Sequence, residues 1–145
     1  ADPTEYGKLI GQFAPSFSTA TSRGDVALFK QHAGRENVLR VHPPAAGQPC
    51  VLNGPVQLAA RPKIHLQIGA SHAPKSDWQL IVNVNGTQIH SSLINHQSAP
   101  QGWADIRCDL SQFAGQAVLI QIHNHPNNWS QETAYFSQIE IMESP

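Results

Sequence analysis

Apolar and polar residues alternate with period two along most of this chain. In KIHLQIGA, Ile64, Leu66 and Ile68 fall on one side, with His65 and Gln67 on the other, which is the repeat of a strand with one face against a core. DWQLIVNVNGTQIHSSLI alternates on both sides of Asn85-Gly86. Both residues of that pair tolerate positive φ, so the segment predicts a hairpin closed by a two-residue turn. NVLRVHPP, GWADIRCDL, QAVLIQIHNH and AYFSQIEIM read as further strands, and PPAAGQP, HAPKSD and QSAPQG are clusters of turn-forming residues between them. Helical character is confined to DLSQFAGQ, where Ser111 can cap a single turn and Gly115 can end it. Residues 1–16 read as an irregular N-terminal segment or tether, and 17–145 as one domain. Roughly eight or nine short strands without βαβ units imply an all-β fold, an antiparallel β-sandwich or jelly roll.

Composition narrows the partners. A chain of 145 residues can bury one core without disulfides or metals. Only 13% of its residues are charged, its net charge is -1, and no two Lys or Arg are adjacent, so the electrostatic footprint of a nucleic-acid or anionic-membrane binder is missing. Its longest apolar runs, such as AVLIQI, are too short to cross a bilayer, and no basic start with an apolar stretch marks a signal peptide. Cys50 and Cys108 form neither a metal motif nor a disulfide framework. Cys108 alternates with Ile106 and Leu110, which fits a buried thiol, with a long-range bridge to Cys50 as the alternative.

Taken in order, GRENVLRVHPPAAGQPCVL, DWQLIVNVNG and GWADIRCDLSQFAGQAVLIQIHNHPNNWSQETAYFSQIEI resemble the galactose-binding-like β-sandwich of carbohydrate-binding modules appended to secreted bacterial glycoside hydrolases. The resemblance spans about residues 25–142, and it is carried by a strand Trp, the DLSQFAGQ connector and a closing strand ending in IEI. It implies a non-catalytic module of a secreted or periplasmic protein, with a polysaccharide or oligosaccharide as ligand and a catalytic domain of the same parent chain as neighbour. The alternative is a structural or interaction domain of the same fold that binds no sugar and packs against a neighbouring domain. Domains of this fold often hold a structural Ca²⁺ between an early loop and the last strand, and here Asp25 with Glu140 or Glu143 offers the carboxylates.

The candidate chemistry gathers near the C-terminus, in HNHPNNWSQETAYF. A metal site, a sugar-binding surface and a ligand-free polar connection compete for it. Alternation puts Gln121, His123 and His125 together on the polar side of their strand, as it does Arg40 with His42, and His65 with Gln67. If those strands are neighbours, imidazoles, amides and a guanidinium converge as sugar hydroxyls require. Pro126 ends the strand and projects Asn127, Asn128 and Trp129 beyond it, so that the indole can stack on a pyranose while the amides exchange hydrogen bonds. Trp103 and Tyr135 are the other available rings, and Trp78 reads as core. A transition-metal site needs a third ligand besides His123 and His125, to come from His42, His65, His90 or His96. No catalytic motif is present, and Asp105, Asp109 and Glu140 alternate outward as solvated carboxylates, which argues against a glycosidase pair in a cleft.

Overall fold

The computed structural model describes residues 3–17, 21–23, 25–42, 48–125 and 133–144. They form a helix α1 (Pro3–Phe13) and strands β1 (Thr21–Arg23), β2 (Asp25–His32), β3 (Arg35–His42), β4 (Cys50–Gln57), β5 (Lys63–His72), β6 (Trp78–Val84), β7 (Thr87–Ile94), β8 (Ala104–Asp109), β9 (Ala117–His125) and β10 (Ala134–Ser144). The strands make two five-stranded antiparallel sheets, in the order β1-β4-β9-β6-β7 and β2-β3-β10-β5-β8. This is the all-β sandwich that the alternation predicts.

Alternating side chains of both sheets meet between them. Leu52, Leu80, Val82, Ile120 and Ile122 of one sheet bury against Leu39, Leu66, Ile68, Phe136 and Ile139 of the other, and this apolar area removed from water is the main source of stability. Two side chains tie the sheets through hydrogen bonds. The Trp78 indole N–H donates to the Ser71 carbonyl at 2.9 Å while its ring meets Phe136 edge-on, at 5.6 Å between centroids. The Asn124 amide donates to the Val41 carbonyl at 3.2 Å.

The turn at Asn85-Gly86 forms as its residues dictate, with φ of 51° and 83°, the positive pair of a type I′ turn. The DLSQFAGQ connector is a single 3₁₀ turn, Ser111–Phe113. Its cap differs from expectation: Asp109, two residues upstream of Ser111, accepts from the Ser111 N–H at 2.9 Å and from its hydroxyl at 2.6 Å. These bonds, the hydroxyl's first, hold the Asp109 carboxyl below the usual carboxylate range. Neither cysteine is in a disulfide; Cys50 lies on β4 and Cys108 on β8 of the opposite sheet. Burial pushes the Cys108 thiol up to about 11.

The N-terminal segment is not an irregular tether. Residues 3–13 are helical, and Tyr6, Leu9, Ile10 and Phe13 recur at the i, i+3, i+4, i+7 spacing of an amphipathic face packed against the core. Phe17 follows in a 3₁₀ turn, 3% exposed. It lies over Gly54 so closely that a methyl group there would collide with its ring. Ile10, Ala14 and Phe17 are all members of the core, so this segment packs into the sandwich whose first strand follows at Thr21.

Candidate functional site

Strand order decides which polar residues meet. β9 lies between β4 and β6, whereas β3 and β5 belong to the other sheet and flank β10. Gln121, His123 and His125 therefore face outward from one sheet, and Arg40 and His65 from the opposite sheet. The single patch expected from sequence does not form. The expectation failed because alternation fixes a residue's side of its own strand but not the strand's neighbours, which are non-local here.

Arg40 is committed to Asp25, with Nη2 and Oδ2 at 3.0 Å, and its guanidinium lies 5.3 Å from the centre of the Phe29 ring. His65 is 8% exposed and its Nδ1 has no partner; it borders an open groove with Lys63, Arg107 and Asp109. Tyr135 stacks flat on His32, at 3.7 Å and 6° between planes. Trp103 is 9% exposed and donates its indole N–H to the Ala33 carbonyl at 3.0 Å. Trp78 is fully buried, as expected. Trp129, Asn127 and Asn128 lie outside the described residues.

The carboxylates named for calcium do not converge. Asp25 pairs in register with His42 at the end of the sheet where β10 begins, next to Val41 and Ala134. Glu140 sits opposite Gln67, six positions further along β10, or roughly 20 Å at the rise of a strand. It accepts from Gln138 Nε2 at 2.7 Å, and Glu143 lies 3.5 Å from Arg61. These three residues do not fit a shared Ca²⁺ site. Among the described residues no three His, Cys, Asp or Glu are grouped to hold a metal.

What assembles instead is the outer face of the β4-β9-β6-β7 surface. Register places Asn53, Gln121, Asn83 and Gln88 side by side, a row of amides crossing four strands. The neighbouring row is Val51, His123, Ile81 and Ser91, and the next contains His125, Gln79 and Leu93. Within this surface Gln121 Nε2 donates to Asn53 Oδ1 at 2.8 Å and Gln79 Nε2 to Ser91 Oγ at 2.7 Å. Asn83 Oδ1 is buried and unpartnered, with its amide nitrogen 3.5 Å from His123 Nε2. Burial, then the neighbouring His125, holds the His123 imidazole below its ordinary value, so the ring is neutral near pH 7 and both donates and accepts.

None of these four strands contains an Asp, Glu, Lys or Arg. Across these four strands the surface is polar without fixed charge, which suits a ligand of hydroxyls and ether oxygens; the charged position of the remaining strand, Arg23 of β1, pairs with Val51 at the border. Sequence reading found Gln121, His123 and His125 but missed Asn53, Asn83, Gln79 and Gln88. Gln79 and Asn83 were open to it, since in WQLIVNV they alternate with the buried Trp78, Leu80, Val82 and Val84. Asn53 was hidden because Gly54 and Pro55 disguise β4 as a turn.

No family model matches the sequence, and no curated protein does. Solved structures do. The chain is similar to the CBM22-1 xylan-binding domain of Xyn10C from Paenibacillus barcinonensis, at 13% identity and a TM-score of 0.61 over 86% of this chain and 85% of that one. It is similar to TmCBM61 in complex with β-1,4-galactotriose, at 12% and 0.59 over 89% and 91%, and to a CBM35 from Paenibacillus barcinonensis, at 11% and 0.56 over 89% and 96%. Larger glycoside hydrolases match over a minor part of their length. At these identities the comparison establishes the fold alone, the β-sandwich that these carbohydrate-binding modules share.

Proposed function

We propose that the chain is a non-catalytic carbohydrate-binding module that takes a neutral polysaccharide or oligosaccharide on the outer face of β4, β9, β6 and β7. The observation that carries this reading is the uncharged row Asn53–Gln121–Asn83–Gln88 beside His123 and His125. Amides and a neutral imidazole exchange hydrogen bonds with hydroxyls in either direction, while Val51 and Ile81 in the next row offer apolar contact to the C–H face of a pyranose. The unpartnered Asn83 Oδ1 gains an acceptor's role when a hydroxyl reaches it. Xylan and β-1,4-galactotriose are named for two modules of the same fold, and unsubstituted, uncharged oligosaccharides of these two kinds are the first ligands to test. A module of this kind is appended to a secreted carbohydrate-active protein, and a catalytic domain of the same parent chain is the natural neighbour.

A purely structural packing domain is less well supported. Among the described residues the large apolar side chains that stand exposed are Phe29, Leu119 and Met142, dispersed over both sheets rather than joined in a docking patch. The deciding experiment is titration calorimetry with xylohexaose and β-1,4-galactotriose, using the protein and its Asn53→Ala/Gln121→Ala variant. Binding in the micromolar to millimolar range that falls at least about tenfold in the variant, with the melting temperature preserved, is the expected result. Equal binding by the variant removes the face from the account.

A further inference from the structure

Past Leu39–Phe136 the second sheet opens. β10 pairs with β3 only through Ala134, Tyr135 and Phe136; a bulge at Ser137 follows, and Asn37 on β3 takes a positive φ of 55°. From Gln138 onward the β3-facing edge of β10 carries no strand among the described residues. The gap is a groove of about 540 Å³, floored by Phe13 and Pro15 from the N-terminal segment and walled by Arg35 and Glu36 on one side and Gln138 and Glu140 on the other. A second hollow of about 260 Å³, beside Phe29 and Asn37, shares Phe13 and Ser137 with it. A bulge and a broken ladder forgo backbone hydrogen bonds, and such features concentrate where a binding surface is shaped.

We propose that this groove is a second ligand site, for one or two units of a neutral saccharide. The inference rests on the carbohydrate reading for the class of ligand, and not on the amide face for its location. Charge selects the class. Arg35 is neutralised by Asp105, so Glu36 and Glu140 leave the groove rich in acceptors, which repels carboxylated or sulfated sugars and favours hydroxyl donors. The geometry fits such donors. Gln138 Nε2 is tied to Glu140 Oε2 at 2.7 Å, which holds the amide oxygen and the second carboxylate oxygen as a fixed pair for neighbouring hydroxyls. Ser137 Oγ already accepts from Arg35 Nη1 at 3.0 Å, so its own hydrogen is left to donate. The Phe13 ring supplies the apolar floor against which a pyranose face can rest.

Amide NMR titration of the whole chain with xylohexaose and with β-1,4-galactotriose tests the site. The expected result is a set of shifts at Glu36, Ser137, Gln138 and Glu140 that persists in Asn53→Ala/Gln121→Ala and is lost in Gln138→Ala/Glu140→Ala, whose substituted side chains lie outside the core. Shifts at Gln121 and His123 alone overturn the groove and leave the amide face standing. Shifts at the groove alone do the reverse. No shifts with either sugar overturn both. Groove shifts unchanged in Gln138→Ala/Glu140→Ala also overturn the proposal, because the contacts it depends on are then absent.

Discussion

Arg35 and Asp105, 70 positions apart, meet in a bidentate ion pair, Nη1–Oδ1 at 2.9 Å and Nη2–Oδ2 at 3.0 Å. Asp105 lies on β8, beyond β10 and β5 from Arg35 on β3, so the tip of the β2–β3 hairpin bends over the outer face of its own sheet. Further contacts hold it there, among them the Trp103 indole N–H on the Ala33 carbonyl, the Arg35 guanidinium 4.9 Å from the centre of the Trp103 ring, and His32 stacked on Tyr135. Gly69 makes the crossing possible, because a methyl group there would run into Ser137 Oγ and Arg35.

Asp105→Asn is expected to cost less than about 1 kcal/mol in a urea melt, since the pair is exposed and screened by solvent, while speeding hydrogen exchange at the hairpin tip. The hydrogen bond from Arg35 holds the Asp105 carboxyl below its ordinary value. The pair's contribution is therefore present above about pH 3.9 and lost as pH falls through the lowered value. An exchange pattern identical to that of the unaltered chain would show that the hairpin is held by other contacts.

Phe17→Ala is expected to cost on the order of 3 to 5 kcal/mol, as for a buried aromatic, and Gly54→Ala to destabilise through the same contact by expelling the ring. A chain lacking residues 1–17 loses Ile10, Ala14 and Phe17 together and should melt far lower. If the shortened chain keeps its melting temperature, the helix is a tether after all.

The faces of β5, β6 and β9 and the Asn85-Gly86 turn are local properties, fixed by side-chain period and by positive φ, and the chain displays them openly. The helix was masked by Gly7 and Gly11, which lower its propensity, although its i, i+3, i+4, i+7 apolar spacing was present. β4 was hidden by Gly54 and Pro55. Pro55 is tolerated because β1 covers only Val51, Leu52 and Asn53, so the strand is an edge where the proline stands. The site was half legible: the amides and imidazoles of β9 could be found, but their partners on β4 and β6 depend on pairings between residues about seventy and forty positions apart, which no local pattern encodes.

Acid should unfold the protein more readily. Burial is the leading cause that lowers the imidazole pKa values of His32, His90 and His123. A group with a depressed folded pKa takes up its proton more easily in the unfolded chain. Its contribution to stability is complete above the unfolded value of about 6.5 and is lost as pH falls through the folded values. The melting temperature should therefore drop on passing from about pH 7.5 to pH 5, before any carboxylate titrates, and His123→Gln should reduce that drop. A flat profile over this interval would mean that the three rings are as accessible to protons as in the unfolded state.

Saccharide binding at the amide face should be insensitive to salt but sensitive to acid. A neutral saccharide brings no charge to be screened, and β4, β6, β7 and β9 carry no Asp, Glu, Lys or Arg, so raising ionic strength from about 0.05 to 0.5 M should leave the Kd unchanged within about twofold. Protonation converts His123 from donor and acceptor to donor only, so affinity should weaken as pH falls below the ordinary imidazole value of about 6.5 and through the lowered value of this ring. Calorimetry across both variables checks this. A marked fall in affinity with salt at neutral pH would show that binding depends on charged groups, and would overturn a reading in which amides and neutral imidazoles hold an uncharged ligand.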